Sequence, residues 1–219
     1  MPPGATRTLT VMAAPALPNP HLPASRLLDP RLPELLARSA ALHGHLCPRQ
    51  VLGVRLALLG GEVLGLEFPR SDKRVLVFVE TDGCFADGVS VGSGCWLGRR
   101  TMRLVDHGKV AATLVDTRTG QAVRVRPQTD LRARVRAGRP EGQKRYQAYL
   151  AAYQTWPDAE LFDVQPVTLT LDLAALISAP GKRAVCEGCG EEIVNEREVQ
   201  RGGALLCRGC AGEAYFMLC

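Results

Sequence analysis

The stretch HGHLCPRQVLGVR, residues 43–55, places two histidines, a cysteine and a proline immediately before a run of apolar residues. Proline is favoured in the first turn of a helix, where its missing N–H is not needed, so we expect a helix to begin at Pro48. Its predicted buried stripe is Val51, Val54, Leu58 and Leu59. The pair Gly60-Gly61 either interrupts or ends this helix.

His43, His45 and Cys47 alternate just before that helix. In an extended segment alternate side chains lie on one side, and imidazole and thiolate are ligands that transition metals prefer. A helix N-terminus also favours a thiolate over a thiol, so Cys47 is a candidate catalytic nucleophile as well as a candidate metal ligand. A buried, inert thiol beside a helix-capping histidine would explain the same residues. His43 is a third ligand, a partner behind the ligands, or a packing residue.

The chain has 219 residues, of which 46% are hydrophobic and 5% aromatic, with a net charge of +5. This length allows one medium domain plus a small module. Residues 1–24 are rich in Pro and Ala, and we expect a disordered leader there. No run of 18 apolar residues or signal-peptide pattern is present, so we expect no membrane partner and a reducing, cytoplasmic setting for the cysteines.

The chain between 25 and 178 alternates helix and strand patterns. RLPELLARSAAL (31–42) and EGQKRYQAYLAAYQTW (141–156) predict helices, whereas KRVLVFVETD (73–82) and LFDVQPVTLTLD (161–172) predict strands. GKVAATLVDTRTGQAVRVRP (108–127) predicts a β-hairpin. The glycine-rich residues 83–105 predict either a turn region or a helix that packs closely against a neighbour. We therefore expect an α+β core domain over 25–178, with an antiparallel sheet and packed helices.

The glycine-rich segment and the next hairpin add further candidate site residues. Cys84 follows the predicted strand, Asp87 lies three residues on, and Cys95 lies in a GSGC turn. Because strand ends and helix starts often meet at cleft mouths, Cys84 is the expected third ligand of a core metal. Lys109 either neutralises an anion in the cleft or is a solvated strand end.

Three blocks of the core resemble, in order, the FmdE-like family of formylmethanofuran dehydrogenase proteins. They are HGHLCPRQVLGVR (43–55), ETDGCFADGVSVGSGCWLGRR (80–100) and DHGKVAATLVDTRTGQAVRV (106–125). The family shows a GHxCPG helix start, D-x-C-x-x-D after a strand, a GCTxGK turn and a GK-x-A hairpin. PDAELFDVQPV (157–167) also resembles the family's closing segment. Three positions depart from these patterns, since Arg49 replaces a glycine, Trp96 replaces the threonine of the turn and Arg99 replaces its lysine.

The resemblance implies an α+β core, a homodimer, and a link to molybdenum or tungsten formylmethanofuran or formate dehydrogenase systems. Residue by residue it points to His45 and Cys47 from the GHxCP block and to Cys84 and Asp87 from the next. Cys95 and Arg99 match the turn, and with Asp87 and Lys109 they form the candidate ligand-binding set. The core metal implied is a second transition metal, zinc being one choice.

The tail over 179–219 contains two C-x2-C pairs, Cys186 with Cys189 and Cys207 with Cys210. Two such knuckles form a closed tetrahedral site, which is typical of structural zinc, and metal binding supplies folding energy that so small a module lacks. A redox disulfide pair is the alternative. Gly190 and Ile193 also resemble the C-x2-C-G-x2-I pattern of DksA/TraR-type zinc fingers. Cys219 has no partner at metal spacing.

Eight basic and two acidic residues lie between 123 and 145. Arg132, Arg134 and Arg136 alternate, so a strand would place them on one face. That face could bind a phosphate-bearing ligand or nucleic acid, or simply be exposed to solvent. Without interleaved aromatics, nucleic acid is not favoured.

Three functions remain open from the sequence. The first is a metal-dependent accessory or enzyme-like module, the second a zinc-ribbon interaction or nucleic-acid-binding protein, and the third a thiol redox or metal-delivery protein.

Overall fold

The computed structural model describes residues 28–177 and 182–217. The predicted leader 1–24 and Cys219 lie outside these residues. The described chain divides after Thr168 into two compact units, each of which is described by itself. None of the helices in the described part is long and apolar enough to cross a lipid bilayer.

Residues 28–168, the described part of the first unit, form six helices and one sheet. The helices are α1 (Leu32–His43), α2 (Pro48–Val63), α3 (Cys84–Ser93), α4 (Leu131–Ala137), α5 (Arg145–Thr155) and α6 (Asp158–Leu161). The strands are β1 (Val75–Val79), β2 (Met102–Leu104), β3 (Ala112–Asp116), β4 (Ala122–Pro127) and β5 (Phe162–Val167). This is the α+β architecture that the sequence predicts.

The five strands form one sheet in the order β2-β1-β3-β4-β5. The predicted hairpin is β3–β4, in which Leu114 pairs with Val123. All neighbouring pairs are antiparallel except β1 and β2, which are parallel because α3 crosses over between them. The core lies between this sheet and α2, whose Val51, Val54 and Leu56 side chains are fully buried.

The glycine-rich segment forms helix α3, which packs against α2 at very short range. A Cβ added to Gly88 would lie 2.3 Å from the Gln50 carbonyl oxygen, and one on Gly53 would lie 2.4 Å from the Phe85 oxygen. Since Gly88 contacts Gln50 and Gly92 contacts Val54, the two helices run parallel. Their N-termini therefore lie side by side, with Cys47 before one and Cys84 at the start of the other.

Three local predictions are wrong. Gly60 and Gly61 neither interrupt nor end α2, which continues to Val63. The segment 43–47 is not extended along its length, because α1 runs through His43 and Gly44 is left-handed, although Cys47 itself has extended backbone angles. The arginine stretch is helix α4 rather than a strand, because Leu131 and Val135, one helical turn apart, are both buried.

The second unit holds a short helix, α7 (Leu173–Ile177), and two small hairpins. Strand β6 (Arg183–Val185) pairs with β7 (Glu192–Val194), and β8 (Val199–Arg201) pairs with β9 (Ala204–Leu206). A short helical turn follows at Gly209–Glu213. One C-x2-C pair lies between β6 and β7, and the other follows β9.

Candidate metal centre

His43 is the last residue of α1, and Gly44 ends that helix in the left-handed region at φ 86°. Glycine adopts this conformation without a Cβ penalty, so it is the usual residue at a helix C-terminus. The turn that follows returns the chain toward α2 within four residues. As a result His43 and Cys47 lie close together, although they belong to different elements.

Cys47 is the N-terminal cap of α2 and is 7% exposed. Its backbone N–H donates to Gln50 Oε1 (2.7 Å), while Gln50 Nε2 donates to the Ser39 carbonyl oxygen (2.8 Å). The buried Gln50 side chain therefore ties the start of α2 to α1. Burial raises the pKa of the Cys47 thiol, against the lowering effect of the Gln50 backbone N–H. The helix start was expected to favour the Cys47 thiolate, but in the metal-free protein burial outweighs that effect and the pKa of Cys47 is raised.

Asp87, His43 and Cys84 form a hydrogen-bonded chain. His43 Nδ1 lies 2.9 Å from Asp87 Oδ2, and His43 Nε2 lies 3.1 Å from Cys84 Sγ. Asp87 and Cys84 both lie in the first turn of α3, three residues apart on one helix face.

The tautomer of His43 follows from its partners. An ionised carboxylate only accepts hydrogen bonds, so the proton on Nδ1 must point at Asp87. The lone pair of Nε2 then faces Cys84 Sγ, whose thiol proton it accepts. A carboxylate that orients a histidine in this way is the usual support behind a metal-binding imidazole.

The donor atoms of His43, Cys47 and Cys84 all lie within 4.8 Å of one another. With metal–ligand bonds of about 2.0–2.3 Å, tetrahedral donors lie roughly 3.5–3.8 Å apart, so movements of under about 1 Å would complete the site. Two sulfurs and one imidazole suit zinc and similar transition metals. Three protein ligands leave a fourth position for a ligand, which distinguishes this group from a closed structural site.

The parallel packing of α2 and α3 places two helix N-termini beside the two sulfurs. Each terminus carries a partial positive charge from its unpaired N–H groups. These charges stabilise thiolates once a metal displaces the thiol protons. The backbone of both helices therefore favours the anionic form of the two sulfurs.

A cleft of about 490 Å³ opens beside two of the three donor residues. Cys47 and Cys84 line it, together with Tyr146, Tyr149 and Tyr153 of α5. Tyr146 donates a hydrogen bond to the Leu46 carbonyl oxygen (2.5 Å), which joins α5 to the segment before Cys47. A cleft of this size accommodates a small molecule next to the open side of the metal group.

Two predicted core residues lie elsewhere. His45 is exposed and stands outside the donor group, with its ring centroid 4.9 Å from that of His43. Cys95 is 2% exposed in the hydrophobic core, with its thiol directed at the Val75 carbonyl oxygen (3.6 Å). Burial raises the pKa of Cys95, so this thiol is protonated and packs as a small apolar side chain.

Arg99 and Lys109 are exposed and do not line the cleft. Arg99 borders a separate depression with Arg38, Arg70 and Trp96. Lys109 lies in the loop before β3, where its backbone N–H donates to the Glu80 carbonyl oxygen (3.1 Å). The structure thus separates the candidate ligand-binding set, of which only Asp87 lies at the metal group.

The tail brings its four cysteines together as the C-x2-C spacing predicts, with all four sulfurs within 4.8 Å of one another. The Cys207 N–H donates to Cys186 Sγ (3.2 Å), which lowers the pKa of Cys186 to about 6. Hydrogen bonding with the sulfurs of Cys207, Cys186 and Cys189 raises the pKa of Cys210 to about 12. Four thiolates this close repel one another, so a bound cation would stabilise them together.

Residues 42–163 match the family model described as FmdE, molybdenum formylmethanofuran dehydrogenase operon. The match covers more than half of the chain, including α2, α3, strands β1 to β4 and the residues that line the cleft. The chain belongs to the FmdE family. Residues 181–216 match the prokaryotic DksA/TraR C4-type zinc finger, so the four-cysteine cluster of this FmdE protein is a zinc-ribbon module.

Two further proteins are similar to this FmdE chain. A probable S-adenosyl-L-methionine-binding protein of Archaeoglobus fulgidus is 32% identical over 206 residues, which cover 84% of the chain and 54% of that protein. The chain thus spans about half the length of this curated relative. The crystal structure of a tungsten formylmethanofuran dehydrogenase FmdE-like protein from Syntrophus aciditrophicus superposes with a TM-score of 0.57 at 20% identity. That superposition covers 89% of the chain and all of the neighbour, and it supports the fold.

The sequence did not identify the residues that surround the donor group. Gln50 looks like an ordinary helical residue, and its role depends on the approach of α1 to α2. The tyrosines carried a detectable signal, because Tyr146, Tyr149 and Tyr153 share one helix face at steps of three and four. Arg49 and Arg132, from different helices, become cleft residues only because α2 and α4 both pack against α5.

Proposed function

We propose that this FmdE protein binds a transition metal through His43, Cys47 and Cys84 and uses it to bind or activate a small molecule in the adjoining cleft. The observation that carries the proposal is the chain from Asp87 through His43 to Cys84, with Cys47 beside it. The tail binds a second, structural zinc. The family description supports a role as an accessory or enzyme-like module of molybdenum or tungsten formylmethanofuran or formate dehydrogenase systems.

Each residue has a distinct task in this proposal. Asp87 keeps the proton on His43 Nδ1, so that Nε2 is free to donate its lone pair. Cys47 and Cys84 supply two thiolates at paired helix N-termini. When bound, the metal supplies a Lewis acid with one open position. The tyrosines of α5 shield that position from bulk water.

Metal content of purified variants tests the proposal. The wild-type chain should contain two metal ions, of which Cys84→Ser or Cys47→Ser removes one and Cys186→Ser removes the other. Cys95→Ser is the matched control, because Cys95 is a buried thiol of the same domain away from the donor group. A wild-type chain with one metal ion, lost completely in Cys186→Ser, would contradict the core site and favour an interaction role for the tail.

S-adenosyl-L-methionine binding is a second candidate function, because that ligand is named for the archaeal relative. The three tyrosines beside the cleft support it, since aromatic side chains stack on planar rings. Calorimetric titration should show binding to the wild-type chain and a loss of about tenfold in affinity in Tyr149→Leu. Absence of binding to the metal-loaded wild-type chain would exclude this ligand.

A further inference from the structure

The cleft beside the metal group has a mixed lining that indicates what kind of molecule it receives. Its walls are largely apolar, from Leu52, Val110, Pro127 and Leu131, with the tyrosines of α5 along one side. The Tyr149 and Tyr153 ring centroids lie 5.7 Å apart with an interplanar angle of 32°. Such a surface favours a flat apolar group over a flexible or strongly hydrated one.

The charge of the cleft comes from two arginines. Arg49 of α2 and Arg132 of α4 are the charged side chains in the lining, and no acidic residue lines it. In the described parts of the chain neither guanidinium has an acidic partner within salt-bridge distance, while at least nine other arginines do. The Arg132 guanidinium carbon lies 5.4 Å from the Tyr149 ring centroid. Positive charge without a counter-charge favours an anionic ligand.

Tyr153 provides a polar group inside the cleft. It is 4% exposed and lines the cleft, and among residues 28–177 and 182–217 its hydroxyl has no hydrogen-bond partner. Burial raises the pKa of Tyr153 to about 12, so the hydroxyl is neutral at physiological pH and can donate. The hydroxyl itself is not enclosed by protein atoms and reaches the cleft, so it is available to donate to a polar atom of a bound molecule.

We propose that the cleft binds a small organic anion with a planar ring, which lies against Tyr149 and Tyr153 while its carboxylate or phosphate pairs with Arg132 and Arg49. The Tyr153 hydroxyl donates to a polar atom of the ring system. The proposal names the ligand class for the proposed metal-dependent function and rests on that function for its biological meaning. Binding itself depends on α2, α4 and α5, so it can be tested independently of the metal.

Three probe molecules separate the contributions of an aromatic ring and of a negative charge to binding in the cleft. Fluorescence titrations use 2-naphthoate, neutral 2-naphthylmethanol and cyclohexanecarboxylate as a competitor, each with the full-length chain. We expect 2-naphthoate to bind at one site per chain and at least tenfold more tightly than either of the other two, as for a charge-assisted hydrogen bond. Equal affinity for 2-naphthoate and 2-naphthylmethanol would overturn the proposal.

Variants locate the site. Arg132→Gln should weaken 2-naphthoate binding about tenfold and leave 2-naphthylmethanol unchanged, and Tyr153→Phe should weaken it several-fold. Arg136→Gln is the matched control, because Arg136 lies on the same helix, is exposed and does not line the cleft. Equal effects of Arg132→Gln and Arg136→Gln would overturn the proposal. Both arginine side chains are exposed, so neither substitution should unfold the protein, and the two affinities can be compared directly.

Core metal content and naphthoate binding, both measured on the wild-type chain, distinguish the two proposals. If the core binds no metal but Arg132-dependent naphthoate binding remains, the ligand class stands and the metal-dependent function fails. If the core metal is present but naphthoate does not bind at millimolar concentration, the ligand class fails and the metal site stands.

Discussion

One carboxylate, that of Asp87, determines which ring nitrogen of His43 carries the proton. Because Asp87 Oδ2 lies 2.9 Å from His43 Nδ1, it selects the tautomer that leaves Nε2 free to face Cys84. The sequence predicted Cys47, Cys84 and Asp87 as site residues, but it favoured His45 as the histidine ligand and left the role of His43 open, whereas His43 belongs to the donor group. That choice depends on α1 extending through His43 and on the left-handed turn at Gly44, a difference of one residue in a helix end.

Replacing Asp87 by Asn tests whether this carboxylate supports metal binding through His43. The amide no longer requires a proton on Nδ1 and carries no charge, so we expect core metal affinity to fall about 10–100-fold. Competition with a chromophoric chelator measures the change. Asp106→Asn is the control, since Asp106 is exposed and accepts a hydrogen bond from the Gly108 N–H away from the donor group. Unchanged affinity in Asp87→Asn would show that the carboxylate does not support the metal.

At the scale of elements, the site depends on how closely α2 and α3 pack. The glycine-rich segment allowed two interpretations from sequence, because the partner of Gly88 is the backbone at Gln50, 38 residues earlier in the chain. The arginine stretch was misread for a related reason. The alternating arginines predicted a strand, whereas the buried pair Leu131 and Val135 has helical spacing and determines the structure.

Gly88→Ala should push the two helices apart. The new methyl group would lie 2.3 Å from the Gln50 carbonyl oxygen, so backbone must move. We expect the free energy of unfolding to fall by about 1–3 kcal/mol and core metal affinity to fall with it, because Cys47 and Cys84 separate. Urea denaturation and chelator competition measure the two effects. Gly138→Ala, whose Cβ would meet no atom closer than 3.6 Å, should change neither.

The ion pair between Arg74, just before β1, and Asp116, at the end of β3, should make the stability of the fold depend on pH. The Arg74 guanidinium, 2.9 Å from Asp116 Oδ2, lowers the pKa of this buried carboxyl to about 2. Since the folded-state pKa lies below the unfolded one, the stabilisation is present above about pH 4 and is lost as pH falls toward 2. Asp116→Asn should therefore be less stable than wild type at pH 6, by at most about 2 kcal/mol.

The stability difference between wild type and Asp116→Asn should shrink between pH 4 and pH 2. Urea denaturation midpoints measure it, and comparing the two proteins cancels the loss of metal that both undergo in acid. A difference that stays constant from pH 6 to pH 2 would show that the ion pair does not contribute in this way.

At the scale of the whole molecule, one chain contains two candidate metal sites of different design. The core group has three donors beside a cleft, whereas the tail has four cysteines and leaves no position open for a further ligand. The sequence predicted the α+β core and the zinc ribbon because both rest on local patterns. It could not predict the cleft, which α2, α4 and α5 form together. The homodimer implied by the family resemblance stays a prediction.

The tail should require metal to fold. It buries few apolar side chains, so we expect a peptide of residues 182–217 to bind one zinc ion and to lose its circular dichroism signal when a chelator is added. The Cys207→Ser peptide is the control and should remain unfolded with zinc present. A metal-free peptide with the same spectrum as the zinc-loaded one would contradict a structural role for zinc.

Anomalous diffraction from crystals of the full-length chain, collected on both sides of the zinc absorption edge after growth with zinc, tests the central claim most directly. We predict two anomalous peaks per chain, one among the four tail cysteines and one bonded to His43 Nε2, Cys47 Sγ and Cys84 Sγ. A single peak at the tail, with Cys84 still hydrogen-bonded to His43, would contradict the core metal site.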